Sequence, residues 1–151
     1  MEEGNLHMRV RKAEHRDLEA VLELLQSSDL PRDGVASSFD GFVIAETDDG
    51  LLGAAGLERY GPHALLRSVV VAAAARGVGV GGALVDRLLA DAWSEGVRSV
   101  YLLTTTAAAY FAARGFEPVD RSAVPAAVRA SVEFASACPA TAAVMRRSAV
   151  Q

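Results

Sequence analysis

Residues 65 to 93 limit what this chain can fold into more than any other stretch. They read LLRSVVVA, a short alanine bridge, RGVGVGG (76 to 82) and then ALVDRLLADAW. An apolar run rich in valine predicts a buried strand, and the glycines predict a turn. Leu84, Val85, Leu88, Ala92 and Trp93 then recur at helical spacing, so a helix is expected from about Gly79 to Trp93, with Gly96 closing it. The first N–H groups of a helix have no intrahelical acceptor, and the macrodipole adds partial positive charge there. Such a helix start takes an anion when no Cβ blocks the approach. Gly77, Gly79, Gly81 and Gly82 clear that approach, and Arg76 adds a permanent cation.

Spacing separates three phosphate-binding patterns. Gly77, Gly79 and Gly82 satisfy G-x-G-x-x-G, but the acidic residue due about 20 positions later in a dinucleotide fold would fall in YLLTTT (101 to 106), which has no carboxylate. A P-loop requires Lys and Ser or Thr after its last glycine, whereas Ala83 and Leu84 follow Gly82. The remaining pattern, Arg76-x-x-Gly79-x-Gly81 after a Val-x-Val strand, resembles the acyl-CoA pyrophosphate loop of the GNAT N-acetyltransferase superfamily. YLLTTTAAAYFAARGFEPVDR (101 to 121) resembles the other half of that cofactor site. More narrowly, LLTTTAAAYFAARGF is similar to the acetyltransferase domain of N-acetylglutamate synthases. GLERYG, LLRS, LLTTTA and the CP pair look closest to N-acetyltransferases encoded in arsenic-resistance operons.

The resemblance implies an α/β fold of the GNAT type: a mixed central sheet of about six or seven strands, a splayed central pair and helices on both faces. It implies acetyl-CoA as cosubstrate, lying along Val69, Val70, Val71, Arg76, Gly77, Val78, Gly79, Val80, Gly81, Gly82, Thr105, Tyr110 and Phe111. Many GNAT enzymes protonate the departing thiolate with a tyrosine four residues before the glycine of a Gly-Phe pair. Phe111 holds that position here, and Tyr110 is the nearby phenol, turned about 100° away on a helix.

The rest of the chain fits one domain, residues 1 to 151, with 1 to 7 expected as a disordered lead-in. MRVRKAE (8 to 14) alternates like a half-buried strand, and Leu18, Val21, Leu22 and Leu25 mark a helix. The Ser-, Asp-, Gly- and Pro-rich segment 27 to 41 reads as loop or broken helix, and the resemblance places Leu30, Pro31 and Phe39 over an acceptor pocket. Asp49-Gly50 joins two strand-like runs, and Gly61-Pro62 turns the second into LLRSVVV, giving a meander over 42 to 72. Strands follow at 97 to 104, after Phe116 and at 141 to 147, with helices over 106 to 114 and 123 to 134.

Acetylating an amine requires a neutral nucleophile, and alkyl amines titrate near ~10, so a group must accept a proton. Glu58, ending a strand beside the central one, is the candidate base; pairing with Arg59 in an exposed turn is its alternative. Arg67 and Ser68 interrupt an apolar strand, where unpartnered burial costs several kcal/mol. With Leu30, Thr104 and Thr105 they are expected to line the acceptor cleft, Arg67 facing an acceptor carboxylate and Tyr110 serving as the second catalytic candidate. A net charge of -4 argues against nucleic-acid or anionic-membrane partners. One cysteine, Cys138, excludes an internal disulfide, and no metal-ligand pattern surrounds it or the three histidines, which fits a cytoplasmic protein without a metal. The expected partner is a small, amino-acid-like amine, with a homodimer left open. Two functions follow: an active N-acetyltransferase linked to arsenic detoxification, or an acyl-CoA-binding sensor module that has lost catalysis.

Overall fold

The computed structural model describes residues 7–131, 134–135 and 141–149. Among these residues seven strands form one mixed sheet in the order β1-β2-β3-β4-β5-β7-β6. β1 (Arg9–Lys12), β2 (Phe42–Thr47), β3 (Gly50–Tyr60) and β4 (His63–Val71) run antiparallel in sequence order, with Thr47 opposite Gly50 and Tyr60 opposite His63 at the two hairpin ends. β5 (Ser99–Thr104) lies parallel to β4 after a helical crossover, and β7 (Ala143–Ser148) and β6 (Glu117–Pro118) complete the sheet. The expected meander, central pair and closing strand are all present.

Strand alternation decides what covers each face. Val43, Ala45, Ala55, Leu57, Ala64, Leu66, Val100 and Leu102 point one way. They pack on Val80, Leu84, Val85, Leu88, Leu89 and Ala92 of α2 (Val80–Ser94), and on Phe111 of α3 (Ala108–Ala112). Trp93 is only half-buried at the edge of this cluster. On the other face Phe42, Ile44, Ala54 and Val70 pack against Val21 and Leu25 of α1 (Leu18–Ser27), with Val35 and Phe39. Further along that face Leu65 and Tyr101 meet Val128 of α4 (Ala126–Arg129) and Phe134.

Two departures from regularity open the middle of the sheet. β4 and β5 pair only from His63 opposite Ser99 to Leu65 opposite Tyr101, and then part. Within β4 the register to β3 slips: Arg67 faces Gly56 and Val70 faces Ala54, so two residues of β4 oppose one of β3. That is a β-bulge, and Ser68 takes it up in the left-handed region at φ 60°. Gly56 has its own reason to lack a side chain, because a Cβ there would lie 2.3 Å from the Phe42 ring.

The helix expected over 123 to 134 is much shorter. Pro125 starts it as predicted, but α4 ends at Arg129. Two residues later the Ser131 hydroxyl accepts the Phe134 N–H at 3.2 Å and its carbonyl accepts the Ala135 N–H at 2.8 Å, as at a residue that caps a new turn. The strand after Phe116 is cut to two residues, Glu117 and Pro118, the second of which has no N–H for a ladder. Residues 1 to 6 and the Cys138-Pro139 loop lie outside the described residues.

Candidate functional site

Where β4 and β5 part, a cavity of about 1060 Å³ opens. Its walls are the loop after α1 (Leu30, Pro31), the bulged half of β4 from Leu66 to Val71, the start of α2, the end of β5 and α3. Every residue expected at the cofactor lines it except Val78, which exposes its side chain to solvent. Leu30, Arg67, Ser68, Thr104 and Thr105 line it too. Glu58 does not.

Gly79 is the N-cap of α2 at φ 90°, a conformation that lets the chain turn from β4 into the helix, and nothing lies within 4 Å of where its Cβ would be. Gly81 and Gly82 have different reasons. A Cβ on Gly81 would meet the Tyr110 hydroxyl at 3.1 Å, and one on Gly82 would meet an Arg114 nitrogen at 2.8 Å. Arg114 lies over the Tyr110 ring at 5.6 Å and reaches the Gly82 carbonyl (3.3 Å) and Asp86 (2.9 Å). These two glycines therefore admit α3 against α2 as well as leaving the helix start bare. Arg76 folds back, its Nε donating to the Val71 carbonyl at 3.1 Å and its Nη2 to Ser28 at 3.4 Å, yet it still lines the cavity.

The one-residue offset in α3 has the expected outcome in space. Phe111 is buried, edge-on to Phe116, while Tyr110 is 42% exposed with its hydroxyl beside Gly81. The Thr104 hydroxyl accepts the Ala107 N–H at 2.9 Å, shaping the entry to α3, and Thr105 is exposed.

Glu58 and Arg67 are partners. The Arg67 guanidinium donates to Glu58 Oε2 at 2.8 Å, to the Asp33 carbonyl at 2.6 Å and through Nε to the Ser68 hydroxyl at 3.0 Å, and its side chain has no solvent exposure. Arg59 instead pairs with Glu95 at the end of α2, as strand alternation requires. Arg67 thus lines the cavity as one half of an ion pair that also ties the loop after α1 to the bulge. The Tyr60 phenol donates to the other oxygen, Oε1. Burial, followed by the bond to Glu58, pushes the phenol up to about 12, and the Ser131 hydroxyl acts in the opposite direction. Glu58, Tyr60 and Ser131 face a second cleft of about 610 Å³, bordered by Ser37, Ser38, Asp40 and α4. Tyr60 and Ser131 were not anticipated from sequence, although Tyr60 sits two residues after Glu58 and so must share its face of β3.

Residues 38–118, more than half of the chain, match the model of the acetyltransferase (GNAT) domain family. The chain belongs to this family. Among curated relatives, an amino-acid acetyltransferase of Salmonella typhi is 27% identical over 125 residues, covering 77% of this chain and 28% of its own length. This chain therefore spans little more than a quarter of that relative. N-acetylglutamate synthase from Neisseria gonorrhoeae, solved with coenzyme A and N-acetyl-glutamate, superposes with a TM-score of 0.82 at 20% identity, over 95% of this chain and 35% of that one. A GCN5-related N-acetyltransferase from Kribbella flavida superposes with a TM-score of 0.67 at 26% identity, over 95% of this chain and 99% of its own. The mixed seven-stranded sheet with helices on both faces is thus the GNAT architecture. Among the described residues no group of metal-ligating side chains is assembled, and no helix is long and apolar enough to cross a membrane.

Proposed function

We propose that this chain transfers the acetyl group of acetyl-CoA to the primary amine of a small acceptor. One observation carries the reading: the bulged, diverging half of β4 and the bare start of α2 open onto the same cavity, so an acyl carrier can lie along the strand with its pyrophosphate on the helix. The amides of residues 77 to 82 and Arg76 would hold the pyrophosphate. Freed amides of Ser68 to Val71 would polarise the thioester carbonyl as the tetrahedral intermediate forms. The amine attacks, the C–S bond breaks, and the thiolate leaves next to α3, where Tyr110 is the nearby phenol. Glu58, held by Arg67, takes the proton that the ammonium must lose.

The names borne by the curated relatives support an amino-acid-like acceptor. A pairing of Arg67 with Glu58 favours an orienting role for the arginine over a carboxylate clamp. The sequence likeness to arsenic-resistance acetyltransferases carries a detoxifying role into the proposal, which survival of an arsenite-sensitive strain expressing the chain tests. For the cofactor the test is calorimetry with acetyl-CoA. Arg76→Ala removes the guanidinium beside the helix start without touching a strained backbone position and should weaken binding about tenfold while circular dichroism stays native; unchanged affinity refutes the assignment. Thiol release across a panel of amines then separates an enzyme from a module that only binds acyl-CoA.

A further inference from the structure

Both oxygens of Glu58 are already engaged, Oε2 by Arg67 and Oε1 by Tyr60, and only 11% of its side chain is exposed. Tyr60 lies on the same face of β3, two residues from Glu58, lines the same cleft, and presents there a hydroxyl bonded to this carboxylate. The cleft that Tyr60 faces is lined by Asp40 on its rim, by serine hydroxyls, and by Arg59, whose charge Glu95 holds. Its fixed groups therefore receive a cation without an opposing free guanidinium. Arg67 lines the first cavity and its partner Glu58 lines the second, so one ion pair spans from the acyl carrier's side to this cleft.

We propose that Tyr60 is a catalytic residue, relaying the acceptor's proton to Glu58. The inference rests on the transferase reading above. In the step, an N–H bond of the ammonium breaks as its proton passes to the phenol oxygen. The phenol's own proton passes to Glu58 Oε1. The amine is left neutral, Tyr60 neutral and Glu58 protonated, so charge and atoms balance. A phenol oxygen has two lone pairs, and since its own O–H donates to Glu58, a lone pair facing the cleft can accept from the amine. Burial keeps the phenol protonated at neutral pH, so Tyr60 cannot be the final base and must hand a proton on for each one it takes. Ser131, 5% exposed and itself fixed by the Phe134 N–H, lines the cleft with the phenol.

The decisive experiment compares Tyr60→Phe with wild type on two primary amines, ethanolamine, protonated at neutral pH, and methoxyamine, a weak base already neutral there. The relay predicts a loss of about a hundredfold in kcat/KM with ethanolamine, the scale of general acid–base catalysis. It also predicts less than about a threefold change with methoxyamine and an unchanged KM for acetyl-CoA. Equal losses with both amines would make Tyr60 a structural residue, and no loss with either would remove it from the reaction; each overturns the proposal. A second measurement needs no acceptor. In Glu58→Gln the phenol no longer faces an anion, so its titration, read from a ring-carbon resonance, should fall below that of the wild type. An unchanged titration breaks the relay's first link. A wild-type protein that does not bind acetyl-CoA overturns the transferase reading itself, and the titration then still judges the hydrogen-bonded chain.

Discussion

Replacing Arg67 with methionine tests what holds the centre of the sheet open. The substitution keeps much of the side-chain length and removes the charge, leaving Glu58, at 11% exposure, with one of its two partners gone. It also frees the Asp33 carbonyl and the Ser68 hydroxyl, both bonded to the guanidinium. Removing one member of a buried ion pair costs about 3–5 kcal/mol, largely because the other charge stays buried. For a domain of this size that corresponds to a fall of roughly 6–20 °C in Tm. Removing both charges, in Arg67→Met with Glu58→Gln, should return a large part of the loss, because the stranded carboxylate is gone. The assay is urea denaturation of the wild type, both single variants and the double variant. The cycle should close with a coupling energy of at least about 1.5 kcal/mol. A single-variant cost under about 1 kcal/mol, or a double variant equal to the sum of its parts, would refute the view that the two residues act as one unit.

Two further predictions concern other parts of the sheet. Gly56→Ala would drive a Cβ to 2.3 Å from the fully buried Phe42 ring and should cost about 1–3 kcal/mol in the same urea titration, an effect that Phe42→Leu should relieve. At the sheet edge, Arg11 donates to both Asp17 and Glu46, and these bonds hold both carboxyls below their ordinary range. With folded values below the unfolded ones, their stabilisation is complete above about pH 4–5 and is lost as pH falls through the depressed values. Arg11→Leu should therefore lose roughly 1 kcal/mol at neutral pH, discounted for the partial exposure of all three groups, and should show a flatter stability profile below pH 4. A parallel profile would remove the cluster from acid unfolding.

Local chemistry made much of this fold legible. Asp49-Gly50 and Gly61-Pro62 turn where they should, the glycines after Arg76 start the helix, and Gly96 ends it at φ 91°. The Glu58–Arg67 pair was legible in principle. A two-residue turn at 61–62 places Glu58 opposite Leu65, and Arg67, two residues on, is its diagonal neighbour on the same face. The bulge at Ser68 was not, since nothing in LLRSVVV marks a left-handed residue, and the neighbouring Arg67 that bonds Ser68 is itself anchored by Glu58 and by Asp33, far back in the chain. Gly81 and Gly82 read as phosphate glycines, and their second use, the seating of Tyr110 and Arg114, depends on a helix more than 25 residues away. Ser131 was hidden inside an expected helix that ends two residues before it.

The brief pairing of β4 with β5 divides the molecule in another way. Three parallel residue pairs, His63 to Leu65 against Ser99 to Tyr101, are the seam between two antiparallel ladders, one made by residues 9–71 and the other by β5, β7 and β6. Each ladder keeps its own hydrogen bonds if the seam opens, while α2 leads from one to the other. Amide exchange should therefore group the backbone into two cooperative blocks, with the seam amides exchanging ahead of those inside either ladder. A nick at Glu95–Gly96, just past α2, would leave two fragments whose reassembly depends on the seam and on packing against α2, which makes this boundary a place to split the protein into a complementation pair.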